Sequence, residues 1–254
     1  MNDDGALMFA RYAYPPNSLG YCGPDDPGGL LDQVAARVVD GALREAARGF
    51  EGAWPYLELI AHCNGGADPL ARAVVEAYWV GNQLLEGVTL GALGDSFAER
   101  FRPRLGRAWE DLLAGVLAGA RPHHNFHVFG VYPWLGLIRA GVVDKPLTVL
   151  DGCRVRWGRL LRVDGDDALV VSRPLVWDGQ ALQLGRPRDE VVRIAAAGRA
   201  LAADPVVGGW VSLHWDWVCD GLSEQQVRRL RRETQCALDT VNRTSRPAPA
   251  AVLA

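Results

Sequence analysis

The stretch Cys153-Arg-Val-Arg-Trp-Gly-Arg-Leu-Leu-Arg-Val-Asp-Gly-Asp-Asp-Ala-Leu-Val-Val171 decides the fold class predicted for the C-terminal part of the chain. Four apolar residues recur at alternate positions in its two halves: Leu161, Val163, Leu169 and Val171. Such alternation is typical of strands that bury one face. Asp164-Gly165-Asp166 separates the halves and has the composition of a tight hairpin turn. The stretch therefore predicts two antiparallel strands.

A second strand pattern runs from Trp210 to Val218, and an amphipathic helix follows it. Ser223 can cap the first turn of this helix, and Gln226 can reach back to close a capping box. Leu222 and Val227 flank the cap as a hydrophobic staple. Apolar residues then recur at helical spacing: Val227, Leu230, Ala237, Leu238 and Val241. This part is predicted to be a small β-barrel with one helix packed against it.

The ordered motifs of residues 153–242 resemble the HypC/HupF-type chaperones of NiFe-hydrogenase maturation. Those proteins begin Met-Cys, continue after three residues with Pro, Gly and a basic residue, and then form a Val-rich strand with an Asp-Gly turn. Here Cys153 precedes Trp-Gly-Arg at 157–159 and Asp-Gly at 164–165. The family's later segment, Val-Gly-Asp-Tyr-Val followed by a His, corresponds to Val-Gly-Gly-Trp-Val-Ser-Leu-His at 207–214.

The resemblance implies a HypC-like, OB-like barrel whose Cys153 and His214 hold a metal. In the family the barrel is an adaptor, and the implied cargo is iron carrying cyanide and carbonyl ligands. A thiolate is a suitable soft ligand for such iron, and a nearby imidazole can hydrogen-bond the sulfur. The implied partners are a HypD-type scaffold protein and the hydrogenase large subunit. The sequence departs from the family pattern because Cys153 is internal, Trp157 replaces Pro, and the loop at 173–204 is longer.

Composition excludes several other classes of function. The 254-residue chain has a formal net charge of -3, which gives no indication of nucleic-acid binding. No signal peptide and no apolar run long enough for a membrane span is evident, so we expect no membrane association. Its five cysteines are irregularly spaced and do not suggest a disulfide framework. We therefore expect a cytoplasmic, reduced protein.

The N-terminal part is predicted to be all-α, which makes the whole chain α+β. Residues 1–29 are rich in Pro and Gly and are expected to be irregular. Helical periodicity then extends from residue 30 to residue 140, and residues 142–150 are expected to form a linker. The predicted division is a helical domain at 1–141, a barrel domain at 142–246 and a flexible tail at 247–254.

Four residues of the helical part are candidates for chemistry. Cys22 lies in a Gly-Pro turn whose backbone amides can lower the pKa of a thiol, although a buried structural cysteine is the alternative. His123 and His127 have metal-ligand spacing if both lie on one helix. His124 would point elsewhere, and we assign it with Cys22 as a candidate catalytic residue. The alternative for all three histidines is a helix start whose rings satisfy backbone groups or stack on aromatic side chains.

Three functions follow from these observations. The first is a hydrogenase maturation factor that carries or docks the iron fragment. The second is a catalytic helical domain, using Cys22 with His123 and His127 on a small molecule, that the barrel recruits to the maturation complex. The third is an unrelated protein with a generic barrel.

Overall fold

The computed structural model describes residues 4–105, 109–202 and 205–243, and the predicted tail at 247–254 lies outside them. Helices come first: α1 Asp4–Ser18, α2 Pro27–Ala36, α3 Gly41–Arg48, α4 Trp54–Cys63, α5 Arg72–Trp79, α6 Leu90–Leu105, α7 Trp109–Leu117, α8 His124–Phe126, α9 Trp134–Arg139 and α10 Asp144–Cys153. A 3-10 turn occupies Gln83–Gly87, and a π-helical turn occupies His127–Val131. None of the described helices is both long and apolar enough to cross a membrane.

The strands follow the helices: β1 Arg156–Asp164, β2 Asp167–Ser172, β3 Leu175–Trp177, β4 Leu182–Leu184, β5 Arg188–Arg193, β6 Ala195–Ala196, β7 Arg199–Ala200, β8 Trp210–His214 and β9 Trp217–Leu222, with α11 at Glu224–Arg243. Antiparallel pairing joins β2 to β1 and β5, and joins β8 to β9 and β1. A single parallel pair, Arg193 with Trp217, links β5 to β9. The predicted α+β class is confirmed, whereas the HypC-like barrel stays a prediction.

The β1–β2 hairpin forms where the sequence predicts it, but with the opposite face buried. Gly165 supplies the positive φ of 61° in the turn. The buried residues are Leu160, Ala168 and Val170, whereas Leu161 is 44 % exposed. The predicted phase was wrong because a bulge between Leu160 and Arg162 interrupts the alternation, and a one-residue shift moves every side chain to the other face.

Three other segments differ from their predicted structure. The single strand expected over 210–218 is the β8–β9 hairpin, which turns at Trp215 with a φ of 52°. The stretch expected to be irregular contains α1, a 15-residue helix with Pro15 and Pro16 near its end. Helix α1 buries Phe9 and Tyr12 in the core, and this burial stabilises the helix by more than the two prolines destabilise it. The expected linker is α10, which buries residues one turn apart.

Helix α11 is built as its sequence predicts. The Ser223 hydroxyl accepts from the Gln226 amide, and the Gln226 side chain accepts from the Ser223 amide, so the capping box is confirmed. Its apolar face is buried. Leu222 and Val227 also belong to the core on which the helix lies.

One apolar core extends across the predicted boundary between residues 141 and 142. It includes residues of α1 and α5, the end of α10, the start of β1, and α11. A smaller core lies inside the sheet, around Leu160, Val170 and Val211. The helical part and the sheet therefore share one core, and this shared region contains the candidate site.

Candidate metal centre

Three residues from distant parts of the chain meet in the shared core. His124 opens α8, Cys153 closes α10, and His214 closes β8. One ring nitrogen of each histidine and the Cys153 Sγ all lie within 4.8 Å of one another. All three residues are buried. Among the described residues, these three form a group of His, Cys, Asp or Glu side chains whose ligand atoms are close enough together to hold one metal ion.

Asn125 accounts for the position of His124 beside Cys153. Its Oδ1 accepts from the Val155 amide at 2.8 Å, and its Nδ2 donates to the Val155 carbonyl at 2.9 Å. The same Nδ2 donates to Thr234 Oγ1 of α11 at 2.9 Å. A fully buried side-chain amide with these partners fixes α8 against the chain two residues after Cys153.

The His214 ring is oriented by the backbone of α1. Its Nδ1 lies 2.6 Å from the carbonyl oxygen of Tyr12, so this nitrogen carries the proton and donates it. Its Nε2 is then an unprotonated acceptor, and it makes no hydrogen bond in the described part of the chain. An imidazole that donates one N–H to a carbonyl and presents its other nitrogen is the usual arrangement of a metal-ligating histidine.

The His124 ring has a hydrogen-bond partner on each side. Its Nε2 donates to the carbonyl oxygen of Cys153 at 2.8 Å, and its Nδ1 accepts from the Tyr78 hydroxyl at 3.1 Å. Tyr78 also lies within 3.4 Å of the carbonyl oxygen of Gly52, to which it can donate instead. The Tyr78 oxygen can then accept a hydrogen bond from a protonated Nδ1, and the unprotonated Nε2 is available as a ligand. The hydroxyl therefore supports both tautomers of His124.

Burial keeps the three residues neutral. Desolvation lowers the pKa of His124 to about 4, and desolvation together with His124 holds the pKa of His214 well below its ordinary value. Desolvation also raises the pKa of the Cys153 thiol. The indole ring of Trp79 packs against both imidazoles, with its centroid 4.5 Å from that of His124 and 5.6 Å from that of His214.

The donor set suits a transition metal. Two neutral imidazoles and one thiolate are ligands for zinc, copper or iron, and metal binding would displace the thiol proton. The uncharged surroundings would strengthen the bond between the metal and the thiolate. The Nε2 of His214 is a buried nitrogen without a hydrogen-bond partner, as are the Nε2 atoms of His123 and His127, but His214 is the one of these three residues that belongs to the group with His124 and Cys153.

The two other predicted metal ligands lie outside this group. His123 is the N-cap of α8, where its Nδ1 accepts from the Asn125 amide at 3.1 Å, and burial lowers its pKa to about 3. His127 Nδ1 lies 3.0 Å from the Tyr56 hydroxyl, and its ring packs edge-on against Tyr132. His123 and His127 do not lie on one helix as expected, because His123 precedes α8 as its N-cap and only His127 lies within helical structure. His124, assigned from sequence as a catalytic residue, takes their place.

Cys153 and His214 lie together, as the resemblance implies for two ligands of one metal. Cys153 does not lie in a strand of the sheet. It is 7 % exposed and ends a helix. Cys22 is half-buried, and its carbonyl accepts from Asn17. Desolvation raises the pKa of its thiol to about 12. Cys22 is not part of the group formed by His124, Cys153 and His214.

The fold and the site define a mixed α+β protein with a buried cluster of two histidines and one cysteine between its helices and its sheet. The chain belongs to a family of unknown function, DUF6390, whose model matches residues 1–248. No curated protein and no solved structure matches the chain. The family match carries no link to the HypC/HupF chaperones.

Proposed function

We propose that the protein binds one transition-metal ion through His124, Cys153 and His214. The observation that carries this proposal is the meeting of the three ligand atoms within 4.8 Å in the core. The free Nε2 of His214 and the adaptable Tyr78 hydroxyl support it further. The ligands would supply one thiolate charge, so a bound divalent ion would keep a net charge of about +1.

The metal site supports a role in NiFe-hydrogenase maturation as the more specific proposal. Cys153 and His214, which carry the resemblance to the HypC/HupF chaperones, are two of its three ligands. In this role iron with cyanide and carbonyl ligands is cargo, and the partners are a HypD-type scaffold protein and the hydrogenase large subunit. Because Cys153 is buried, loading and release require local opening around the site.

The catalytic alternative, in which Cys22 acts with the histidines, receives less support. Burial raises the pKa of the Cys22 thiol to about 12, so the nucleophilic thiolate is scarce at neutral pH. The Nδ1 atoms of His123 and His127 are engaged by the Asn125 amide and the Tyr56 hydroxyl, and neither histidine belongs to the group that contains Cys153.

Cobalt titration of the metal-free full-length chain tests the metal proposal. We expect one equivalent of cobalt(II) to produce a thiolate charge-transfer band and to quench fluorescence from Trp79, which lies against both histidines. Cys153→Ser should abolish the charge-transfer band. His214→Gln should weaken cobalt binding by at least about tenfold. The matched controls Cys63→Ser and His62→Gln alter residues outside the site and should bind cobalt like the unaltered chain.

The outcome that contradicts the metal proposal is cobalt binding that is unchanged by Cys153→Ser and His214→Gln. Thermal unfolding of each variant must show a folded protein. His124→Gln provides a third variant if either of the others fails to fold.

The maturation proposal needs a separate experiment. We expect protein purified with its native partners to contain iron and to show the infrared bands of bound cyanide and carbonyl. Cys153→Ser should remove both the iron and these bands. A protein that binds cobalt at the site but never acquires iron with diatomic ligands would contradict the maturation role and leave the metal site standing.

A further inference from the structure

A cleft separate from the metal site opens between α11, β1 and the β3–β4 hairpin. Its volume is about 430 Å³. It is lined by Trp157, Arg173, Leu184, Arg231, Arg232 and Gln235. Trp157 is almost fully buried and provides, with Leu184, an apolar surface, while the arginines are exposed. The cleft thus combines an apolar wall with three guanidinium groups.

Arg231 is held in place by two aromatic rings. Its guanidinium carbon lies 5.4 Å from the ring centroid of Trp157 and 5.1 Å from that of Trp210. Such cation–π contacts restrain the side chain without neutralising its charge. No carboxylate of the described chain lies within ion-pair distance of Arg231.

Arg173 is positioned by its backbone and by its own Nε. Its carbonyl oxygen accepts from the buried Arg154, which is itself paired with Asp151. Its Nε donates to the carbonyl oxygen of Gly185 at 2.8 Å, which leaves both terminal nitrogens for other acceptors. Among the described residues, no carboxylate forms an ion pair with Arg173.

Arg232 differs from its two neighbours because it already has acidic partners. It lies 3.1 Å from Glu233 and 3.4 Å from Glu86. Two fixed positive charges without counter-ions therefore remain at the cleft, on a chain whose formal net charge is -3. Two guanidinium groups without counter-ions beside an apolar wall are typical of a site that binds an anion.

We infer that this cleft binds an organic oxyanion, a carboxylate or phosphate group attached to an apolar or planar body. The forked donors of Arg173 and Arg231 suit the paired oxygens of either group. The apolar wall formed by Trp157 and Leu184 suits the attached body. This inference is independent of the metal site, which shares no residue with the cleft.

Calorimetric titration of the full chain with four probes tests the inference. Pyrophosphate presents phosphate alone, and citrate presents carboxylates. ADP presents phosphate on a planar body, and adenosine presents the same planar body without the anion. We expect at least one anion to bind and adenosine not to bind. Arg173→Gln and Arg231→Gln should each weaken that binding by about tenfold or more. Arg228→Gln, an exposed charge change on the same helix outside the cleft, should leave it unchanged.

Several results would overturn the inference: no binding of any of the three anions, equal binding of adenosine and ADP, or equal weakening by Arg228→Gln. Preference for citrate over both phosphate compounds would assign the ligand to the carboxylates, and the reverse would assign it to the phosphates. If a glutamine variant fails to fold, Arg173→Lys and Arg231→Lys replace it. They keep the charge but lose the forked donor, so weaker binding is again expected.

Discussion

Mild acid is expected to destabilise the metal-free protein, because four of its histidines are buried as neutral rings: His123, His124, His127 and His214. Burial lowers the pKa of His123 to about 3 and that of His124 to about 4. It also holds the pKa values of His127 and His214 well below the ordinary value. In the unfolded chain each ring returns to a pKa of about 6.5.

The sign and size of the effect follow from this difference in pKa. Between about pH 7.5 and about pH 5.5 the rings gain protons in the unfolded chain but not in the folded one, so acid favours unfolding. Each ring contributes a loss of about 1.4 kcal/mol over this interval, and the four together about 5 kcal/mol. Glu233 acts in the opposite direction, because burial raises the pKa of its carboxyl and acid relieves the cost of burying its charge.

Urea unfolding followed by tryptophan fluorescence at three pH values measures this loss. His127→Gln removes one buried ring outside the metal site, so the loss between the extreme pH values should shrink by about a quarter. His62→Gln alters an exposed ring and should not change it. A free energy of unfolding that stays level, or increases, as the pH falls through this interval would refute the reasoning.

Three further outcomes are expected. Gly5→Ala should lower the free energy of unfolding in urea by about 3 kcal/mol or more, because a Cβ there would overlap backbone atoms at the start of α5. Gly94→Ala has open space around it and should raise the free energy of unfolding by about 0.5–1 kcal/mol. Equal effects of the two substitutions would contradict this. Ser223→Ala should cost about 1 kcal/mol by removing the cap of α11, and Gln225→Ala beside it should cost less. The cobalt affinity should rise about tenfold per pH unit near neutrality, because binding displaces the proton of Cys153. A pH-independent affinity would exclude ligation by the thiol.

The sequence predicts those elements whose causes are local. The capping box of α11 needs only Ser223 and Gln226, and the β1–β2 turn needs only the positive φ of Gly165. Helix α4 lies within the range of predicted helical periodicity and has Pro55 in its first turn. In each case residues close together in the sequence both form the recognisable motif and make the local interaction that stabilises the element.

The remaining elements depend on contacts that no local pattern reveals. Helix α1 tolerates Pro15 and Pro16 because Phe9 and Tyr12 fill the core. The buried face of β1 depends on a bulge set by pairing with β2. The β8–β9 turn places Trp215 against the backbone of Gly152, and its amide donates to the Gly152 carbonyl at 2.7 Å. Tertiary packing decides all three.

The candidate site shows the same division. The resemblance to the HypC/HupF chaperones implies that Cys153 and His214 lie close together, and the structure brings them together. His124 could not be selected over its neighbours from sequence, since its direction depends on a short helix that ends after three residues and passes into a π-helical turn. The informative neighbour is Asn125, whose amide binds Val155. A buried asparagine has no sequence signature that distinguishes it from an exposed one.

The carbonyl of Tyr12 has a consequence for biosynthesis. It accepts a hydrogen bond from the Nδ1–H of His214, so the first described helix orients a proposed metal ligand from one of the last strands. A nascent chain that has not yet emerged beyond β8 carries His124 and Cys153 but lacks their third companion. We therefore expect ribosome-bound chains stalled before β8 to bind metal weakly, and metal uptake to follow the docking of β8 onto α1. Metal loading would then distinguish completed molecules from truncated ones.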